Sequence, residues 1–217
     1  MKTYKERLTD KKQSNRTKVL KVTAFLVEKY GISNFTFNQL AKESKLGVAS
    51  IYRYFGNKTE LIFETAVYLL KEIILIVENK LKEPSFIELS GIKRIESLLD
   101  LFLVVYSENQ SFFKYIGEFD RFLSHHEIPK DKYNEYDNLF SSFYDFSYSS
   151  FLKGQKDGSI KKEIDFKTFY YSITRVLMNT CEKGAIDSCL IPSDLEIPTE
   201  KQIEQLIKMA IFYIKGE

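Results

Sequence analysis

Cysteine, histidine, proline and glycine are all scarce: two, two, four and nine respectively in 217 residues. Cys181 and Cys189 lie eight apart, and a metal would need further ligands, so neither a disulfide framework nor a metal centre is expected. A redox role for the pair stays open. His125 and His126 are neighbours, and adjacent side chains on a helix point about 100° apart, which suits a surface better than joint metal ligation. No run approaches the 18 or more apolar residues of a membrane helix, and apolar stretches such as 73–77 are far too short. Lys2, Lys5, Glu6 and Arg7 open the chain without an apolar run, so no secretory signal and a cytoplasmic location are expected. Catalytic signatures are missing as well: no Gly-rich phosphate loop, no G-x-S-x-G, no H-E-x-x-H. The expectation is a non-enzyme without cofactor.

What remains is 44% hydrophobic and 29% charged, enough for a real core in one or two soluble domains. Long runs of 3.6-residue periodicity with few alternating Val/Thr stretches predict an all-α protein. Charge is unevenly spread. Residues 1–60 hold thirteen Lys/Arg against five Asp/Glu, a net of +8, so the rest carries −6 of the overall +2. A basic third on an acidic body fits a phosphate-binding module, although a solvated charged face gives the same count.

The stretch 35–60, FTFNQLAKESKLGVASIYRYFGNKTE, is what the chain is organised around. Thr36 with Gln39 three residues on forms a capping box, and Phe37, Leu40 and Ala41 continue a helix to about Lys45. Leu46-Gly47 breaks it. A second short helix, about 48–54, is anchored by Ile51 and Phe55, which leaves Val48, Ala49, Ser50, Tyr52, Arg53 and Tyr54 largely outward. Two short helices across a tight turn read as a helix-turn-helix. In that reading Tyr52 and Lys58 meet phosphates, with Thr36 helping at its helix N-terminus. Arg53 reads a guanine or lies along the backbone, and Val48, Ala49 and Ser50 enter the groove.

The segment RTKVLKVTAFLVEKYG (16–31), Phe35-Thr36, Leu40-Ala41, the block Ile51-Tyr52-Arg53-Tyr54-Phe55 and then Asn57-Lys58-Thr59-Glu60-Leu61 together resemble the TetR (tetracycline-repressor-like) family of transcriptional regulators. The resemblance covers the first quarter to third of the chain. It departs at two positions: Lys45 where the family usually has Gly, and Gly47 where it usually has a Ser cap. Lys45 is therefore either strained or part of a different turn.

In chain order, residues 1–14 read as a mobile polar arm and 16–30 as the first helix, stopped by Gly31. A long helix over 58–82 would connect an N-terminal DNA-binding domain (1–57) to a C-terminal ligand-binding and dimerisation domain (58–217). Further helices are expected over 92–108, 109–126, 131–156 and 164–183, with a connector over 184–198 and a last helix capped by Thr199. Two long apolar stripes, Phe169, Ile173, Val176, Leu177 and Ile203, Leu206, Ile207, Ala210, need a partner surface. The chain itself could bury them; the resemblance implies that they join a second copy in a four-helix dimer interface. The aromatic middle offers Phe102, Tyr106, Phe119, Phe122, Tyr144, Tyr148 and Tyr170, with Arg175, as lining for a small, largely apolar or aromatic ligand. Such stripes are more often core, yet buried hydroxyls need polar partners that a wet cavity would supply. The expected function is a homodimeric regulator of double-stranded DNA with a palindromic operator, a ligand-released repressor without membrane contact. The alternative is a helical scaffold protein whose basic surface has no specific DNA site.

Overall fold

Among the described residues every regular element but one short bridge is helical, as the periodicity predicts. The computed structural model describes residues 3–126, 129–186 and 191–216. Its α-helices are α1 (Tyr4–Tyr30), α2 (Phe37–Ser44), α3 (Val48–Phe55), α4 (Lys58–Lys82), α5 (Pro84–Ile87), α6 (Gly91–Glu108), α7 (Gln110–Leu123), α8 (Lys130–Lys156), α9 (Phe166–Gly184) and α10 (Thr199–Ile214). A 3₁₀ turn, Pro192–Leu195, precedes α10. No described helix is long and apolar enough to cross a membrane.

The chain forms two compact units, Met1–Leu69 with Tyr115–Glu127 and Leu70–Lys114 with Ile128–Glu217. Helix α4 gives 58–69 to the first and 70–82 to the second.

The first unit buries Val19, Leu26 and Val27 of α1, Phe35, Leu40 of α2, Ile51 and Phe55 of α3, and Leu61, Ile62 and Phe63 of α4. Tyr115, Ile116 and Phe119 of α7 complete this core. The Tyr115 hydroxyl donates to the Ile62 carbonyl at 2.7 Å, Phe119 meets Phe63 edge-on at 5.8 Å, and the Glu118 carboxylate accepts from the Ile32 N–H at 3.3 Å. Gly31 ends α1 at φ 77°, a backbone that glycine adopts without steric cost.

The expectation of a mobile arm over 1–14 is corrected. Helix α1 begins at Tyr4, and Thr3 and Glu6 close a capping box at its start. A polar run without apolar period gives no helix signal of its own, but here it extends a helix that packing has already nucleated. The Thr199 cap is also corrected: Thr199 is the first residue of α10, Pro198 is the N-cap, and no side-chain cap bond forms.

In the second unit α6 packs against α8, α9 and α10. The α6/α8 crossing depends on Gly91, where a Cβ would stand 2.0 Å from the Gly154 nitrogen and 2.7 Å from the Ser150 carbonyl oxygen. Past α10, Ile160 and Lys215 form a single antiparallel bridge. The stripes assigned to a dimer are mostly internal. Phe169, Leu177, Ile203, Ile207 and Ala210 are buried within the chain, Ile173 and Leu206 are half-buried, and Val176 is exposed. Amphipathic periodicity shows that a face is buried but not by which chain, and here α6 and the α9/α10 contact cover most of it.

Candidate nucleic-acid interface

Thr36 and Gln39 form the expected capping box at the start of α2. The Gln39 side chain accepts from the Thr36 N–H at 2.7 Å, and the Thr36 hydroxyl accepts from the Gln39 N–H at 3.2 Å. Thr36 therefore fixes the helix start internally, and the N–H groups of the first turn are what α2 can offer a phosphate.

Helix α2 ends on Lys45 at φ 56°, ψ 36°. Of the two alternatives at this position, the left-handed conformation is the one adopted, by a residue with a Cβ. Gly47 follows as an extended N-cap of α3 without a side-chain bond. Lys45→Gly should therefore stabilise the chain by about 1 kcal/mol, seen as a higher urea midpoint, because a left-handed non-glycine residue costs roughly 1–2 kcal/mol. An unchanged or lower midpoint would contradict the strain.

On α3, Ile51 and Phe55 are buried, and the remaining side chains surround a solvent face. Ala49, Tyr52 and Arg53 are exposed; Val48, Ser50 and Tyr54 are half-buried. Tyr52 lies stacked on Phe37 of α2, with ring centroids 4.5 Å apart, so its ring is held in place while the residue stays exposed. Arg53 folds along its own helix, donating to the Ser50 hydroxyl at 3.3 Å with its guanidinium 5.8 Å from the Tyr54 ring. The guanidinium is thus held along the exposed face of its own helix. Arg16 of α1 braces the far end: it donates to the Tyr54 carbonyl at 2.6 Å, pairs with Glu64 and covers the Phe55 ring.

Lys58 has a further task that sequence reasoning missed. Its ammonium donates to the Phe35 carbonyl at 2.9 Å and the Ser33 carbonyl at 3.3 Å, and lies 4.3 Å from the Phe35 ring centre. Partial burial lowers its pKa. It clamps the α1–α2 turn to the start of α4. Lys58→Ala should lower the melting temperature through the lost clamp. It should also weaken binding to all duplexes alike, with the salt slope reduced by about one for the remaining N–H. A changed base preference would overturn that assignment.

The ligand candidates do not assemble as one set. Phe119 is fully buried in the first unit between Phe63 and Tyr115, and is core. Phe122, in the same unit, stacks on His126 at 3.8 Å. In the second unit, Tyr106 is buried against Phe113, and Phe102 is half-buried on α6. Tyr144, Tyr148 and Tyr170 do come together. Tyr144 stacks on Tyr148 and, at the same 5.8 Å, on Tyr171, and meets Tyr170 edge-on at 5.1 Å; Phe166 and Phe151 lie beneath. Burial raises the hydroxyl pKa of Tyr170. Arg175 is exposed on α9.

Cys181 is buried, and burial pushes its thiol up to about 12, so it stays protonated and unreactive. Cys189 lies outside the described residues. Among the described residues no cluster of three or more His, Cys, Asp or Glu could hold a metal.

Residues 19–65, from the buried face of α1 through α2 and α3 into α4, match the family model described as bacterial regulatory proteins, tetR family. They are a tetR-family domain. The chain that carries it is a DNA-binding transcriptional regulator, all-α, with a larger helical C-terminal part. The tetR fold extends over nearly its whole length. A putative regulator from Saccharomonospora viridis in complex with choline superposes with a TM-score of 0.76 at 14% identity, over 94% of this chain and 99% of that one. A TetR regulator from Haloarcula marismortui gives 0.75 at 14%, over 94% and 100%. FadR from Bacillus subtilis, in complex with stearoyl-CoA, gives 0.64 at 11%, over 90% and 97%. No protein in the curated comparison matches significantly.

Proposed function

We propose that this regulator is a cytoplasmic homodimeric repressor that binds a palindromic operator through residues 1–57 and is released when a small ligand occupies residues 58–217. The observation that carries the DNA half is the solvent face of α3, where Tyr52 is fixed on Phe37 and Arg53 is poised beside Ser50 on a basic domain. Tyr52, Lys58 and the start of α2 at Thr36 would position the backbone; Val48, Ala49, Ser50, Arg53 and Tyr54 would face the groove. A single helix of this length touches few base pairs, so a two-fold pair of heads on inverted half-sites supplies the specificity.

The dimer face is reassigned to the outward side of α9 and α10. Ser172, Val176 and Asn179 of α9 and Gln202, Met209, Phe212 and Tyr213 of α10 are exposed and uncharged. Tyr213 stacks on Phe169 at 6.2 Å, which sets the two faces side by side. Lys183, at the end of the α9 face, is paired with Asp194 at 2.5 Å.

For the ligand, the Tyr144, Tyr148 and Tyr170 cluster with Tyr171 favours an apolar or aromatic molecule, and Phe102, Tyr106 and Arg175 belong to the same unit. Choline and stearoyl-CoA are bound by two proteins of this fold; neither is assigned to this chain. A ligand can release DNA only by binding the non-competent state more tightly, and α4, continuous from Lys58 to Lys82, is the element available to carry that bias.

Base reading is tested by repeating a binding-site selection with Arg53→Ala. Loss of preference at one guanine in each half-site, worth about 1–3 kcal/mol, is the expected result. An unchanged motif at lower affinity would place Arg53 on the backbone.

A further inference from the structure

Helix α1 is far longer than its packing requires. Its first buried residue is Val19, and residues 6–14 are all exposed, Leu8 at 51% and Tyr4 before them at 78%. Nothing described in the first unit covers them. Their composition is weighted to donors: Arg7, Lys11 and Lys12, then Gln13, Ser14 and Asn15, against Glu6 and Asp10. Glu6 is already engaged, accepting from the Thr3 N–H at 2.6 Å. Among the described residues Arg7, Lys11 and Lys12 form no ion pair, so three cations stand free on a capped helix.

The placement of this segment is fixed by Arg16. Its bond to the Tyr54 carbonyl pins α1 at the C-terminal end of the recognition helix α3, and its pair with Glu64 pins it to α4. From there the helix runs on to Tyr4, about 18 Å at roughly 1.5 Å per residue. That length equals about half a helical turn of duplex.

We propose that residues 4–15 of α1 are a second phosphate-binding element, lying along the sugar–phosphate backbone outside the base pairs that α3 reads. This rests on the DNA-binding reading of α3 and extends its footprint on each half-site. Cationic and small hydroxyl or amide side chains are the groups that phosphate contacts use, and a pre-formed helix holds them without ordering a loop on binding. The element adds affinity and register but no base preference.

The test is the triple variant Arg7→Ala, Lys11→Ala, Lys12→Ala in the full chain, titrated by fluorescence anisotropy against the selected operator at several salt concentrations. Two duplexes are compared, one ending at the half-sites and one carrying about six further base pairs on each side. The wild type should bind the longer duplex more tightly. The variant should lose that advantage, keep the same preferred motif and melting temperature, and show a salt slope smaller by up to about 2.7 per protomer. A slope within about 0.5 of wild type, or a wild type indifferent to flanking length, overturns the arm while leaving the α3 reading intact. A variant whose oligomeric state changes while its slope does not would assign the arm to self-association and also overturn the proposal. A wild type that selects no duplex fails at α3 itself.

Discussion

Phe212→Glu and Val176→Glu should each leave the chain folded and helical while converting a dimer to monomers that no longer hold a palindrome tightly. Phe212 is 81% exposed and Val176 44%, so neither substitution buries a charge within its own chain. In the proposed pair, each glutamate would be desolvated and would approach its own copy across the two-fold axis. An interface near the standard ~800 Å² per partner cannot absorb two such charges. The contrast is Leu177→Glu or Ile207→Glu. Leu177 is fully buried and Ile207 nearly so, and an unpaired charge there should cost about 3–5 kcal/mol and unfold the chain. Light scattering with far-UV circular dichroism separates the outcomes. A wild-type monomer at micromolar concentration, or dimeric Phe212→Glu, would remove the outward face from the account.

The second large effect belongs to Gly91. The atoms that its added Cβ would meet are backbone: the Gly154 nitrogen at 2.0 Å, the Gly154 Cα at 2.1 Å and the Ser150 oxygen at 2.7 Å. Backbone cannot swing aside as a side chain can, so Gly91→Ala must push α6 from α8 and loosen the centre of the second unit. A loss of about 1–3 kcal/mol or more is expected, read as a lower urea midpoint. Gly154→Ala should cost less, because the nearest atoms its Cβ would meet belong to the Ile160 side chain, the closest carbon at 2.4 Å. Equal midpoints for wild type and Gly91→Ala would mean that the crossing is looser than described.

Sequence and structure agree where signals are local. The Thr36–Gln39 box, the Ile51/Phe55 anchors and the Gly31 stop are each set by a few neighbouring residues, and all three stand where expected. The misses arise where the deciding partner is remote. Phe119 sits on an aromatic helix like the other ligand candidates, but its place in the first unit depends on Phe63 and Tyr115. The clamp at Lys58 depends on carbonyls 23 and 25 residues away, and carbonyls leave no mark in side-chain identity. The stripes Phe169–Leu177 and Ile203–Ala210 carried the right period, but most of their residues pack within the chain. The signal that remained for a partner copy was the set of exposed apolar residues, Val176, Met209, Phe212 and Tyr213, on the outward sides of the same helices. For the N-terminal segment, the charge count pointed to phosphate before any element was visible; only its helical form was missing.

The most direct measurement of the central claim is selection of bound duplexes from a random pool by the full-length wild-type chain, followed by the stoichiometry of the best duplex. Two inverted half-sites, one helical turn or a multiple apart, holding two chains per duplex, is the predicted result. Enrichment of no motif, with binding that depends on salt alone, would contradict it and favour a scaffold with a basic surface.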